Sequence, residues 1–180
     1  MRVAASYHRN HRRKASDLPY ISHPASVALI LVRAGFDDES LLAAALLHDV
    51  VEDTDCTLEE LEAEFPAQVI QYVAALTERK NAADGTKRSW QERKNEHLAE
   101  VGQSVFAVRA IVLADKLHNL GSMLYDLEGG EELWSRFGAS ADKIIWYHRS
   151  MIAAAAQDDT RLSELARACE AILSRLEEAT

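Results

Sequence analysis

The chain has 180 residues, 48% of them hydrophobic and 27% charged, which is typical of one soluble globular domain and too short for two comfortable ones. Its net charge of −9 argues against nucleic acid or an anionic membrane as a partner of the whole surface, so an anionic ligand requires a local basic patch. No apolar run reaches membrane-spanning length, so we expect a cytoplasmic protein. Cys56 and Cys169 are not spaced like metal ligands, and we expect both to be reduced thiols.

The N-terminal part predicts two short helices joined by a loop. Residues 1–12 indicate a helix with a basic end, which Arg13 and Lys14 extend into the loop. The second helix, over 25–34, follows a proline that suits a first helical turn, and this puts His23 at or just before the helix start. The ring is then free to point into a cleft, although a histidine in this position more often makes a structural hydrogen bond.

The stretch 41–54 carries the strongest chemical signal. An apolar run of good helix formers ends in four ionisable residues within six positions, His48, Asp49, Glu52 and Asp53. If the helix continues, residues four apart project from one surface. Carboxylates at a helix C-terminus meet the negative end of its dipole, and a bound cation would reverse that sign. The alternative is a helix that leaves the core and ends in solvent.

The middle of the chain predicts three further helices. Residues 57–60 form a capping box that begins a short helix, and a proline begins the next one, which runs to Leu76. Residues 77–88 are polar and indicate a loop, and a charged helix follows over 89–101. Basic side chains of this loop and helix could reach a ligand, but solvated side chains are the more common outcome.

Asp115 is the second candidate for a functional carboxylate. It lies on a predicted helix over 104–127 that is apolar around much of its circumference and therefore buried. A carboxylate on a buried face requires a partner, so Asp115 either pairs with a basic residue or binds a metal. Asn119 is one turn further on and projects from the same side.

Aromatic residues mark the helices predicted after the double glycine. Segments 131–137 and 140–157 both favour helix, and they contain Trp134, Trp146 and Tyr147. The simplest interpretation of these large side chains is that they belong to the core or to the wall of a cleft. We assign Trp146 and Tyr147 no role in binding a ligand.

The last predicted helix, over 162–178, is amphipathic. Its apolar stripe suits packing on the body of the domain, with the seam of a homodimer as the alternative. No segment has the alternating pattern of a strand, so the predicted fold class is all-α. The expected organisation is one domain over 1–157, with residues 158–180 forming a C-terminal helix packed on it.

Separate segments thus offer two imidazoles and two carboxylates that could share one cation. They are His23, His48, Asp49 and Asp115. A His-Asp pair with a preceding histidine and a distant aspartate resembles the HD superfamily of metal-dependent phosphohydrolases. The resemblance implies a single-domain helical bundle of about eight to ten helices.

A closer resemblance rests on several motifs, in order and spacing. They are Arg13-Lys14, Pro19-Tyr-Ile-Ser-His-Pro24, Ala45-Leu-Leu-His-Asp-Val-Val-Glu-Asp-Thr54 and Leu113-Ala-Asp-Lys-Leu-His-Asn-Leu120. Together they are similar to the (p)ppGpp hydrolase domain of the RelA/SpoT proteins over roughly the first 150 residues. The resemblance implies a stand-alone alarmone hydrolase that removes pyrophosphate from the 3′ position of ppGpp or pppGpp.

The resemblance also implies roles for individual residues. One manganese ion is expected to be held by His23, His48, Asp49 and Asp115. Glu52 and Asp53 are expected to orient and deprotonate the attacking water. The residues expected to contact the guanine nucleotide are Arg13, Lys14, Tyr20 and Asn119. A guanidinium can bridge phosphate oxygens, so this local basic arm explains how an acidic protein recruits an anionic substrate.

One position departs from the family pattern. Gly121 stands where the family often has an arginine, which removes a cation near the site and bears on the choice of substrate. A second hypothesis therefore keeps the metal centre and changes the substrate to another phosphorylated nucleotide or cofactor. A third is a non-catalytic module that binds metal or nucleotide for regulation.

Overall fold

The computed structural model describes residues 1–13, 17–80 and 85–179. Within these ranges the α-helices are α1 (Arg2–Tyr7), α2 (Ser22–Arg33), α3 (Glu39–Leu47), α4 (Val50–Asp53), α5 (Leu58–Glu62), α6 (Ala67–Leu76), α7 (Trp90–Gln103), α8 (Phe106–Glu128), α9 (Ala141–Ala156) and α10 (Ser163–Glu178). Short 3-10 helices span Trp134–Arg136 and Thr160–Leu162. Over the same ranges the structure has no β-strand, although isolated bridges occur, such as the one between Arg12 and Pro19, and the predicted all-α fold is confirmed.

Side-chain caps define where several helices begin. Asp38 accepts the backbone N–H of Leu41 at 2.8 Å and begins α3. The predicted capping box is present in α5, where the side chains of Thr57 and Glu60 each accept a backbone N–H of the other residue. Ser89 caps α7 in the same way. Each such cap stabilises its helix by about 1 kcal/mol, so these starts are specified locally.

Helix α8 is the centre of the core. It packs against α2, α9 and α10, and it also touches α3, α6 and α7. Ile111, Leu113 and Leu120 on this helix are fully buried. Complete burial of such a side chain contributes roughly 1.5–3 kcal/mol. Because neighbouring helices surround the middle of α8, a polar group there lies between helices, whereas Tyr125 and Glu128 near its C-terminal end are exposed.

The amphipathic helix α10 lies along α8 and α9. Its buried stripe consists of Leu165, Ala166, Cys169, Leu173 and Leu176. Among the helices of the part of the chain that the structure describes, none has the length and apolar character of a membrane span.

The structure differs from the sequence expectation at one point that matters for chemistry. The predicted continuous helix through 41–54 is interrupted at His48 and Asp49, which separate α3 from α4. Asp49 has φ −99° and ψ −5°, outside regular helical geometry. At this interruption the His48 ring faces His23 of α2 and Asp115 of α8, and the Asp49 carboxylate faces His23.

Two other predicted helices are shorter than expected. The first ends at Tyr7 instead of near residue 12, because the next residue, His8, is buried against Tyr20. The segment 131–137 forms only a single 3-10 turn. It lies between Gly138 and Gly130, whose φ of +80° is incompatible with a continuing right-handed helix.

Candidate active site

Three helical segments bring two histidines and an aspartate together. His23 comes from the first turn of α2, His48 from the end of α3 and Asp115 from the middle of α8. The two Nε2 atoms are 3.2 Å apart, and Oδ1 of Asp115 lies 3.1 Å from that of His23. One ligand atom from each of the three residues lies within 4.8 Å of the others.

Asp49 completes this cluster. Its Oδ2 lies 3.0 Å from Nε2 of His48 and 3.4 Å from Nε2 of His23. The four ligands predicted from the sequence therefore converge, and both histidines are buried. Nitrogen and carboxylate oxygen donors without nearby thiolate suit a divalent cation. This donor set therefore fits a divalent metal centre, and the roles of its individual residues stay predictions.

The far nitrogen of each ring is fixed by a hydrogen bond. Nδ1 of His48 donates to the carbonyl of Ala45 at 2.8 Å, and Nδ1 of His23 is 2.9 Å from Nδ1 of His118. The bond to a carbonyl fixes the tautomer of His48, and both contacts orient the rings so that each Nε2 faces the cluster. Burial and the neighbouring His23 lower the pKa of His118 to about 4, so this ring is neutral at neutral pH. Sequence reasoning missed His118, although its position one helical turn after Asp115 is a usable signal.

Asp115 pairs with a basic residue, one of the two alternatives that its sequence left open, and its other carboxylate oxygen stays available for the second, which is still a prediction. Its Oδ2 accepts the ammonium of Lys116 at 2.8 Å, and its Oδ1 faces the histidines. Burial alone would raise the pKa of Asp115, but the charge of Lys116 and the facing His23 hold it well below its usual range. The carboxylate is therefore ionised and available to a cation. The amide of Asn119 also donates to Oδ1, at 2.6 Å.

The residues expected to contact the nucleotide lie beside this cluster. The hydroxyl of Tyr20 donates to Oδ2 of Asp49 at 2.6 Å. Arg13 donates to the side-chain oxygen of Asn119 at 3.0 Å, and its guanidinium lies over the Tyr20 ring, 5.7 Å from the centroid. These three side chains form one wall next to the expected metal ligands. Lys14, the fourth expected contact, lies outside the residues that the structure describes.

The expected water-activating pair lies on α4, next to Asp49. Oε2 of Glu52 accepts the backbone N–H of Glu78 at 3.1 Å. Oδ1 of Asp53 accepts the ammonium of Lys80 at 3.2 Å. Burial raises the pKa of Glu52. A carboxylate with a raised pKa is the better proton acceptor at neutral pH, provided that it is still ionised there.

Charged residues behind this pair form a group that the sequence analysis did not predict, although it considered the basic side chains of α7 as possible ligand contacts. The carboxylate of Glu78 is buried between Arg93 and Lys94 of α7. The ammonium groups of Lys94 and Lys116 lie 4.5 Å and 5.6 Å from the ring centroid of Tyr147. Tyr147 is buried, in keeping with the predicted wall, and Trp146 is more exposed. No spacing rule connects these residues, because they come from different parts of the chain.

Comparison with known proteins agrees with this arrangement of helices and ligands. A model of the HD domain matches residues 1–132, which is well over half of the chain. This chain belongs to the HD domain family. The predicted membership of this superfamily is thereby confirmed.

Named relatives are similar to this chain over about two thirds of its length or more. The mouse guanosine-3′,5′-bis(diphosphate) 3′-pyrophosphohydrolase MESH1 is 44% identical over 119 residues, which cover 65% of this chain and 63% of that protein. The match thus spans a little less than two thirds of the mouse protein. The Drosophila melanogaster protein of the same name is 36% identical over 149 residues, covering 81% of this chain and 80% of that protein.

Two solved structures share the fold over most of the chain. A metazoan ortholog of SpoT that hydrolyzes ppGpp superimposes with a TM-score of 0.77 at 32% identity, covering 97% of this chain and 91% of that one. A Listeria monocytogenes protein superimposes with a TM-score of 0.71 at 35% identity, covering 87% and 96% of the two chains. The likeness therefore extends beyond the site to the C-terminal helices.

Proposed function

We propose that this HD domain protein is a metal-dependent hydrolase that removes the 3′-pyrophosphate of ppGpp or pppGpp and gives GDP or GTP and pyrophosphate. One observation carries the proposal: the converging histidines and aspartates have a carboxylate pair directly beside them on α4. Relatives similar to this chain are named as enzymes of that activity. A non-catalytic binding module would need no such pair.

The proposed metal ligands are the four converging residues, and the proposed ion is manganese. They are His23, His48, Asp49 and Asp115. A bound divalent cation supplies positive charge, which lowers the pKa of a water molecule and offsets the charge of the attacked phosphate. Imidazole and carboxylate donors are compatible with manganese.

The chain's own residues supply the proton transfer. Glu52 and Asp53 are proposed to orient the water and to accept its proton. The water oxygen then forms a bond to the 3′ phosphorus as the bond from that phosphorus to the ribose oxygen breaks. Pyrophosphate leaves, and the ribose oxygen takes a proton to become a hydroxyl. The raised pKa of Glu52 supports its role as the proton acceptor.

The basic arm is proposed to hold the substrate. Arg13 and Lys14 would pair with phosphate oxygens, and Tyr20 and Asn119 would border the nucleotide. The hydrogen bond between Arg13 and Asn119 supports a shared binding wall. A cytoplasmic location and the alternative of a homodimer through α10 stay predictions from the sequence.

Turnover of ppGpp by the purified, manganese-loaded protein tests the proposal. We expect release of GDP and pyrophosphate in equal amounts, and loss of both after treatment with EDTA. Folded, metal-loaded protein without turnover would contradict the assigned substrate. The products identify the reaction class at the same time, because hydrolysis at any other phosphate would give a different pair.

A second candidate substrate is another phosphorylated nucleotide or cofactor. Gly121 favours it, since a side chain built there would meet nothing within 4 Å, so space is open on α8 close to Asn119. A screen of nucleotides carrying 2′- or 3′-phosphates separates the two candidates. A higher kcat/KM for one of these than for ppGpp would favour the second.

A further inference from the structure

Glu78 follows α6, and no motif in the sequence includes it. Its buried carboxylate contacts the guanidinium of Arg93 and the ammonium of Lys94, and its Oε2 lies 3.6 Å from Nδ1 of His97. Burial alone would raise the pKa of Glu78, but the neighbouring His97 and the hydrogen-bonded ammonium of Lys94 lower it to about 2. The carboxylate is therefore ionised and fastened to α7 through charge-assisted hydrogen bonds.

The backbone around the same residue reaches the active site. The N–H of Glu78 donates to Oε2 of Glu52, with 3.1 Å between nitrogen and oxygen. The ammonium of Lys80 donates to the backbone carbonyl of Glu52 at 2.6 Å and to Oδ1 of Asp53 at 3.2 Å. The segment Thr77–Lys80 thus holds both residues to which water activation is assigned.

This attachment distinguishes the two carboxylate oxygens of Glu52. Oε2 accepts the N–H of Glu78, whereas Oε1 lies 3.9 Å from the Lys80 nitrogen, beyond hydrogen-bond distance. Oε1 is thus the oxygen left to take a proton. A general base acts only within hydrogen-bond reach of the proton that it abstracts. A displacement of about 1 Å can lower a rate roughly 100-fold.

We propose that Glu78 is a positioning residue: its ion cluster with α7 fixes the segment Thr77–Lys80, which aims Oε1 of Glu52 at the attacking water. The inference rests on the proposed hydrolase function and deepens it. The competing explanation is a purely structural cluster that joins the end of α6 to α7. That explanation predicts a loss of stability without a change in kcat of the folded protein.

Steady-state kinetics of Glu78→Gln separate the two explanations. The amide keeps the shape of the side chain but removes its charge, so we expect kcat to fall by about tenfold or more while KM changes less than about twofold. Glu78→Asp keeps the charge on a shorter side chain and should have an intermediate kcat. A wild-type kcat in the folded Gln variant, or an effect confined to KM, overturns the proposal. If the Gln variant does not fold, Glu78→Asp takes its place. A wild-type kcat in Glu78→Asp would then overturn the proposal.

Asp159→Asn is the matched control. Asp159 is also largely buried, and it pairs with Arg109 at 3.0 Å, away from the candidate active site. This variant should lose stability and keep the wild-type kcat. An equal loss of kcat in Asp159→Asn and Glu78→Gln would mean that any broken ion pair impairs the enzyme, and the proposal would be wrong.

Hydrogen exchange at the Glu78 amide tests the contact without any substrate. We expect this amide to be protected in the wild type, and to exchange faster in Glu78→Gln and in Glu52→Ala, which lacks the acceptor. Fast exchange in the wild type overturns the proposed contact, whatever the substrate. A wild type that does not hydrolyse ppGpp can still show the expected protection of the Glu78 amide. In that case the assigned substrate is wrong, but the contact between Glu78 and Glu52 is retained.

Discussion

The hydroxyl of Tyr20 donates a 2.6 Å hydrogen bond to Oδ2 of Asp49, the same oxygen that lies 3.0 Å from Nε2 of His48. Tyr20 precedes α2, and Asp49 lies between α3 and α4, so the bond joins two separate parts of the site. The ring of His8 packs on that of Tyr20, with 4.6 Å between the centroids. The orientation of the Asp49 carboxylate is therefore set by a phenol that the N-terminal segment holds in place.

Replacing Tyr20 with phenylalanine should weaken metal binding while the ring packing survives. The variant loses the hydrogen bond that orients Asp49, and loss of such a partner typically lowers metal affinity about 10–100-fold. We expect a stability loss of only about 1 kcal/mol in the metal-free protein. Calorimetric titration with Mn²⁺ measures the affinity, and urea unfolding measures the stability. Unchanged affinity would show that Tyr20 does not orient this carboxylate.

Divalent metal should stabilise the folded protein. The donor atoms of His23, His48 and Asp115 lie together only after three helical segments have packed, so the unfolded chain lacks the site. Mn²⁺ at about 100 times its dissociation constant should add about 2.7 kcal/mol, which a thermal melt detects as a higher Tm. EDTA should reverse the shift.

Asp115→Asn should abolish the metal-dependent rise in Tm, because the amide replaces a charged donor of the cluster. Asp159→Asn, which breaks an ion pair elsewhere, should retain it. A rise in Asp115→Asn as large as that of the wild type would assign the metal to other residues.

Replacing both Glu52 and Asp53 with their amides should abolish turnover and spare the metal. The two carboxylates lie on α4 beside the ligand cluster, and removal of a general base typically costs about 100- to 10,000-fold in rate. Stopped assays of ppGpp hydrolysis measure the loss, and the rise in Tm with Mn²⁺ shows that the site is intact. Hydrolysis near the wild-type rate would show that Glu52 and Asp53 do not activate the water.

The parts of the fold that local sequence specifies were predictable. The capping box of Thr57 and Glu60 and the long apolar helix around Asp115 depend on residues within one or two turns. The break at His48 and Asp49 was not predictable, because the pattern there is compatible with a continuous helix. The contacts made at this break are tertiary: both side chains meet His23 of α2, and His48 also lies near Asp115 of α8.

The candidate site shows the same division between local and long-range information. The expected metal ligands were predicted from the resemblance to a family. The structure brings their side chains together, and their roles stay predictions. Glu78 had no local signal, and nothing in the sequence linked Tyr147, predicted as a core or wall residue, to the charged residues near it. Glu78 meets Lys94, sixteen positions away, and Lys94 in turn lies over Tyr147 on α9. Such contacts arise only from the packing of α7 between its neighbours.

Replacing Gly121 with alanine should stabilise the folded protein, whereas the same change at Gly35 should destabilise it. A Cβ at either position would meet nothing within 4 Å, so space does not distinguish them. Gly121 lies inside α8, where glycine costs up to about 1 kcal/mol relative to alanine. Gly35 follows α2 with φ +86°, which an alanine adopts only at a cost of about 1 kcal/mol.

We therefore expect Gly121→Ala to raise Tm by about 2–4 °C and Gly35→Ala to lower it by a similar amount. Differential scanning calorimetry of both variants in EDTA isolates the backbone effect from any change in metal affinity. A loss of stability in Gly121→Ala would mean that the position is under steric constraint. In that case the open space beside Asn119, on which the second candidate substrate depends, would not exist in the folded protein.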